Sequence, residues 1–221
     1  MSERTRSEQT RAQLVEAAIR LLGQGGTAAL QARKLAAEIG ASTMAVYTYF
    51  DGMSGLTAAV VREGFRRLTE NMAAVGQTDD PVADLYRLAL AYRRTAVQHP
   101  ELFTLMFREA GAQGHSVRDL AGSTPEIEAA NSFRHLVAAT ERAISAGRLR
   151  GEPVSVAAQT WSALHGYVTL ELLGHFGAGD RGTAEVMAPL VTTLMIGLGD
   201  TPEAAQASAA GFTAKAQAFA E

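Results

Sequence analysis

The chain has 221 residues, 47% hydrophobic and 19% charged, and contains no cysteine. That composition allows one large or two small domains with a real core and excludes an extended disordered chain. The missing cysteine excludes a disulfide scaffold, a thiol nucleophile and any Cys-ligated zinc or iron–sulfur site. The net charge of −3 is unevenly spread: residues 1–75 hold nine Lys/Arg against seven Asp/Glu, or +2, and the rest eleven against sixteen, or −5. A basic pole on an acidic body has the sign that phosphate contacts require, although the amplitude is small. Glu16 and Arg20 interrupt the apolar stretch AQLVEAAIRLL, so no signal peptide is expected. No run approaches the ~18 apolar residues of a membrane helix, and a cytoplasmic location is expected.

Apolar residues recur at three and four along nearly the whole chain, with no period-2 run long enough for a strand, so the expected class is all-α. Leu14, Ala18, Leu21 and Leu22 face one way on a first helix, with Thr10 and Gln13 as a capping box and Gly25-Gly26 as its stop. A second helix carries Leu35, Ala36 and Ile39 and ends at Gly40. A third starts at Ser42 as N-cap and buries Val46 and Phe50, one turn apart. After the turn Asp51-Gly52, Ser54 is expected to cap a long fourth helix whose stripe is Ala58, Val61, Phe65, Leu68 and Met72.

Asp80-Pro81 opens a fifth helix to about His99, and Pro100 a sixth containing Leu102, Phe103, Leu105, Met106 and Phe107. Thr124-Pro125-Glu126 starts a seventh, which ends at Gly147. Pro153 and Ser155 precede an eighth with Ala157, Trp161, Leu164, Val168 and Leu172 on one face. A ninth covers roughly Thr183 to Leu198, and Thr201-Pro202 begins an alanine-rich tail of helical character interrupted by Gly211. The expected division is residues 1–53, a connecting helix of about 54–75, and residues 76–221.

Helices two and three, joined by Gly40-Ala41-Ser42, have the arrangement of a helix-turn-helix. In that motif the second helix enters the major groove and offers its N-terminal residues to base edges. Val46 and Phe50 supply the apolar back, and Thr43, Met44, Tyr47 and Thr48 the front. Hydroxyls can donate to phosphate without a formal charge. The expected DNA-contacting set is Arg33, Ser42, Thr43, Met44, Ala45, Tyr47, Thr48 and Tyr49, with Arg4, Arg6 and Arg11 as an arm tracking the backbone or minor groove. Arg33 is near enough to the groove to reach a guanine O6/N7 pair.

The stretches LVEAAIRLLGQGGTAAL and RKLAAEIGASTMAVYTYF, followed by Ser54-Gly55-Leu56, resemble the TetR/AcrR transcriptional regulators over about the first sixty residues. WSALHGYVTLEL resembles the Trp…His-Gly (WHG) signature of one C-terminal subgroup, at Trp161, His165 and Gly166. Two positions depart from the family: Gln31-Ala32 replace the usual hydroxyl cap of helix two, and Met53 replaces a phosphate-contacting Lys. Losing that lysine should flatten the salt slope by roughly one unit.

The resemblance implies a three-helix DNA-binding domain in front of a larger helical domain for ligand binding and dimerisation. It implies a homodimer through helices at about 155–175 and 183–198, partnered by double-stranded DNA and a small-molecule effector, with no cofactor, no metal and no membrane. The regulator is expected to be a repressor on a palindromic operator, released by a small apolar or amphipathic ligand. The expected ligand contacts are Tyr92, Phe103, Met106, Phe107, Phe133, Trp161 and His165. Aromatic and Met residues at helical spacing are usually core, and a close helix contact accounts for His165-Gly166 without a ligand.

An enzyme is the first competing reading, because Glu171 and His175 fall four apart and suit an acid–base or metal pair. No HExxH, glycine-rich phosphate loop or GxSxG accompanies them, so no catalysis is expected and a solvated pair accounts for both. The alternative function is a small-molecule binding protein with weak or vestigial DNA binding.

Overall fold

The computed structural model describes residues 3–112, 114, 116, 119–120, 128–177 and 179–218, with the side chains of all but 3, 4, 128 and 211–218. Every regular element among them is helical. The chain divides into two compact units, Met1–Arg67 with His99–Gly114, and Leu68–Gln98 with His115–Glu221.

The first unit holds α1 (Glu3–Gly25), a 3-10 turn (Thr27–Ala29), α2 (Ala32–Glu38), α3 (Met44–Phe50), most of α4 (Met53–Ala73) and α6 (Pro100–Ala112). Its core holds residues that the three-four spacing picks out, Leu14, Leu22, Leu35 and Val46 being fully buried; on α4 the expected Val61 and Phe65 are buried, but Ala58 is exposed and Val60, outside the expected stripe, is fully buried. Each such side chain contributes about 1.5–3 kcal/mol by leaving water. α6 packs on α1, so it belongs with the front helices and not with the residues after 76.

Three expected caps are not caps. α1 begins before Thr10, whose hydroxyl donates to the Arg6 carbonyl at 3.0 Å instead of capping. Helix-forming Glu, Arg and Gln surround it, and a threonine inside a helix readily back-bonds one turn down. α3 starts at Met44 with Thr43 in helical conformation and no side-chain cap, and α4 starts at Met53, ahead of Ser54. Arg6 and Arg11 therefore lie on a helix and not in an arm, and Arg11 covers the Phe50 ring at 5.1 Å. The Arg4 side chain lies outside the described residues.

The second unit is built on α5 (Pro81–Gln98), which packs against α7 (Glu128–Ser145), α8 (Pro153–Leu172) and α10 (Pro202–Ala218). A π turn (Thr183–Met187) leads into α9 (Ala188–Gly197), which packs on α8 and α10. The Asp80 carboxylate accepts from the Val82 and Ala83 amides at 3.0 and 3.1 Å, the cap expected beside Pro81. Thr201 caps α10 in the same way, through the Ala204 amide at 3.2 Å, and α10 runs through Gly211 to Ala218. α8 begins at Pro153 with Glu152 as its cap, one turn ahead of the Ser155 side chain. The expected start of α7 at Thr124-Pro125-Glu126 lies outside the described residues.

Two buried charge clusters fasten this unit. Asp84, 2% exposed, accepts from the Thr78 amide and hydroxyl and pairs with Arg142 at 2.7 Å. Arg148 holds Asp200 through two bonds of 2.7 Å and reaches Asp80 and Ser208. Each buried carboxylate has donors on both oxygens, the condition under which a buried charge is tolerated.

Candidate nucleic-acid interface and effector site

Gly40 makes the turn between α2 and α3 possible. Its φ is +64°, a left-handed conformation that a side chain would strain. The turn leaves Ser42, Thr43, Met44, Tyr47 and Thr48 exposed and buries Val46 and Phe50, so the expected front and back of α3 are separated as the sequence implies. Ala45 and Tyr49 are half-buried at its flanks. Met44 is 64% and Tyr47 55% exposed, the latter with its ring beside Gly52. The Thr48 hydroxyl donates to the Met44 carbonyl at 2.9 Å. Arg33 and Lys34 are exposed on the first turn of α2, whose N-terminus has no side-chain cap, as Gln31 in place of a hydroxyl residue implies.

One residue that holds α3 in place, Gly55, is marked in the sequence only through the family resemblance, with no role attached. A Cβ on Gly55 would stand 1.8 Å from the Phe50 carbonyl oxygen, so α4 can pass the end of α3 only with glycine there. A glycine in the first turns of an otherwise regular helix was the available hint.

The expected ligand contacts fall into two groups. Phe103, Met106 and Phe107 lie in the first unit, where Phe107 meets Phe103 at 4.7 Å and Phe65 at 5.4 Å between centroids. Met106 is fully buried and occupies the space left by Gly64, where a Cβ would be 2.4 Å from its sulfur.

Tyr92, Phe133, Trp161 and His165 come together in the second unit. Trp161 Nε1 donates to the Tyr92 hydroxyl at 3.2 Å, and that hydroxyl lies 2.7 Å from His165 Nδ1. The Trp161 ring stands 5.8 Å from Phe133 and 5.9 Å from His165. Indole only donates, so the Tyr92 oxygen accepts from Trp161, and toward Nδ1 the same hydroxyl donates or accepts according to the imidazole tautomer.

Burial drives the Tyr92 hydroxyl far above the usual phenol range, and the Trp161 hydrogen bond offsets only part of this. Burial likewise pulls His165 below the ordinary imidazole value. The unfolded chain therefore binds the extra proton more readily than the folded one. The neutral His165 contributes its full stability above about pH 6.5, and that contribution is lost as the pH falls from there through the folded value. Thermal melts of the wild type are expected to drop over this window more steeply than those of His165→Gln; equal slopes would contradict the assignment.

Glu171 and His175 are not a pair. α8 ends at Leu172, His175 is exposed, and the Glu171 carboxylate is held by Arg93 through contacts of 2.8–2.9 Å and by the Tyr167 hydroxyl at 3.0 Å. Arg93 extends the network to Asp180 at 2.8 Å. Among the described residues no group of His, Asp or Glu is arranged to hold a metal ion, and no helix is long and apolar enough to cross a membrane.

Residues 14–60 match the family model described as bacterial regulatory proteins, tetR family, and residues 85–194 match the tetracyclin repressor-like C-terminal domain. An uncharacterized HTH-type transcriptional regulator of Mycobacterium tuberculosis is 30% identical over 193 residues, 86% of this chain and 81% of that protein. A solved protein of unknown function from Rhodococcus sp. RHA1 is 27% identical, with a TM-score of 0.72 over 86% of this chain and 95% of the other. RolR, solved with resorcinol, shares the fold at 18% identity and a TM-score of 0.62, over 94% of this chain and 96% of its own.

Proposed function

The chain belongs to the TetR family of DNA-binding transcriptional regulators, and from that premise we propose that it is a cytoplasmic, non-catalytic repressor that binds a palindromic operator as a homodimer and is released by a small apolar or amphipathic ligand. The observation that carries the ligand half is the Tyr92–Phe133–Trp161–His165 cluster. It sets the Trp161 and His165 rings on one buried hydrogen-bonded hydroxyl, with Phe133 against Trp161, the mixture of apolar wall and few polar groups that small-molecule sites use. RolR, the fold neighbour solved with resorcinol, makes small phenols the natural probes. Trp161 is the only tryptophan, so its fluorescence reports on this site alone. Saturable quenching by a phenol that also releases operator DNA is the expected result; quenching with the DNA still bound would contradict release.

The homodimer reading rests on the outward face of α8 and α9. Gln159, Ser162, Gly166, Thr169, Leu170 and Leu173 are exposed at helical spacing without a charge, and α9 contains no charged residue. Leu170, Leu173 and Leu190 are 44%, 68% and 38% exposed. A Cβ at Gly166 meets nothing within 4 Å, so the close helix contact anticipated for this glycine is not made inside the chain. A two-fold dimer would place two copies of α3 ~34–36 Å apart, one DNA turn. Gly166→Arg is expected to move sedimentation from dimer to monomer while leaving helicity unchanged; an intact dimer would remove this face from the interface.

α4 is one unbroken helix from Met53, beside the end of α3, into the second unit beyond Arg67, and is the proposed lever. A ligand can shift the equilibrium only by its differential affinity for the two forms of the dimer, ~1–3 kcal/mol in typical couplings. The alternative of a small-molecule binder with vestigial DNA binding draws its support from Met53 and the uncapped N-terminus of α2.

A further inference from the structure

Bases are read in the major groove by a short list of side chains. Arg or Lys reads guanine, Asn or Gln reads adenine, Asp or Glu accepts from cytosine, Ser or Thr bonds to several edges alike, and apolar groups meet the thymine methyl. α3 and the two residues before it, Ser42-Thr43-Met44-Ala45-Val46-Tyr47-Thr48-Tyr49-Phe50, contain none of the first six. Of the exposed residues Ser42, Thr43, Met44, Tyr47 and Thr48, Met44 is the wholly apolar one. Met44 is 64% exposed, and Thr48, one turn on, is exposed with its hydroxyl proton committed to the Met44 carbonyl at 2.9 Å. The methyl is the other branch of that side chain. Tyr47 lies on the same face with its ring half in solvent.

A thioether exposed at Met44, one turn from Thr48, does nothing for the fold, since Val46 and Phe50 already dock the helix. The surrounding charge fits a nucleic acid. No acidic residue lies between Glu38 and Asp51, and Arg33 and Lys34 stand exposed at the start of α2, both able to pair with phosphate and Arg33 the candidate for guanine.

We propose that α3 reads its operator through thymine 5-methyl groups, contacted by Met44 and by Thr48, so that each half-site carries thymines whose methyls, and not their hydrogen-bonding edges, set affinity. This rests on the DNA-binding reading and deepens it by naming the base chemistry that is recognised.

Uracil tests it, because deoxyuridine pairs and hydrogen-bonds as thymidine does and lacks only the methyl. A motif is selected with the full-length protein from a randomised thymine-containing duplex library, then remade with uracil at single thymine positions. Each methyl contacted by α3 is expected to be worth about fourfold in affinity, so that one loss per half-site weakens a two-fold operator about fifteenfold. Met44→Ala, an exposed position whose loss leaves the core untouched, is expected to bind thymine and uracil versions alike at one position of each half-site. A selected motif bound equally with uracil throughout would overturn the inference alone. A thymine library that yields no motif would overturn both it and the DNA-binding reading.

Discussion

Gly55→Ala is expected to cost the first unit about 1–3 kcal/mol and to lower operator affinity at least tenfold, while the second unit melts as in the wild type. The added Cβ would stand 1.8 Å from the Phe50 carbonyl oxygen and 2.9 Å from its carbon. These are backbone atoms, so no side-chain rotation relieves the clash, and the end of α3 must move away from α4. Phe50 is also the residue through which α3 is buried, at 7% exposure with Arg11 over its ring. Gly23→Ala is the matched control. It lies inside α1 with nothing within 4 Å of the new methyl and is expected to be neutral or stabilising by about 0.5–1 kcal/mol. DNA titration and denaturant melts of the two variants separate a steric effect from a general intolerance of substitution. Equal behaviour would show that Gly55 does not position the reading helix.

Glu171→Ala should destabilise the second unit by about 3–5 kcal/mol, because it leaves a buried guanidinium short of its bidentate partner. Arg93 and Glu171 are 13% and 9% exposed in their side chains, and Asp180 alone would remain to pair with Arg93. Tyr167 would also lose the carboxylate that its hydroxyl donates to, and that ring stacks on Phe176 at 5.0 Å and 5°. Burial, reinforced by the charge of Glu171, pushes the Tyr167 hydroxyl up to about 12, so it stays a donor at any pH of interest. For a chain of this length the melting temperature should fall by roughly 6–20 °C. Glu171→Gln, which keeps the shape and some of the hydrogen bonds, should recover part of the loss. A melt within 2 °C or so of the wild type for Glu171→Ala would mean that the network is dispensable.

Patterns within one helix were legible in the sequence, and partners far along the chain were not. The stripes Leu14–Ala18–Leu22 and Val46–Phe50 mark faces that are buried. Asp80 before Pro81 and Thr201 before Pro202 cap because proline one residue on fixes where the helix begins. Thr10, Ser42 and Ser54 carry the same hydroxyl without that constraint, and a hydroxyl satisfies itself as well on the carbonyl one turn back, as Thr10, Thr48 and Thr57 do.

The same distinction runs through the sites. Trp161 and His165 were visible as a motif on one helix, but the hydroxyl that joins them comes from Tyr92, whose helix is distant in sequence. Arg93 had no local mark, because Glu171 and Asp180 reach it only through the packing of α5 on α8. Gly55 was hidden for a different reason: what it avoids is backbone, which no residue pattern announces. α6 was grouped with the later helices because its crowded apolar face does not reveal that it packs on α1.

DNA binding by the whole protein is tested by the retention of a randomised duplex library at two salt concentrations, with the retained DNA sequenced. The expected result is one inverted repeat, with half-site centres about 10–10.5 base pairs apart and kept at both concentrations. Retention of unrelated sequences that disappears at the higher salt would contradict it, because phosphate attraction alone would then explain the binding.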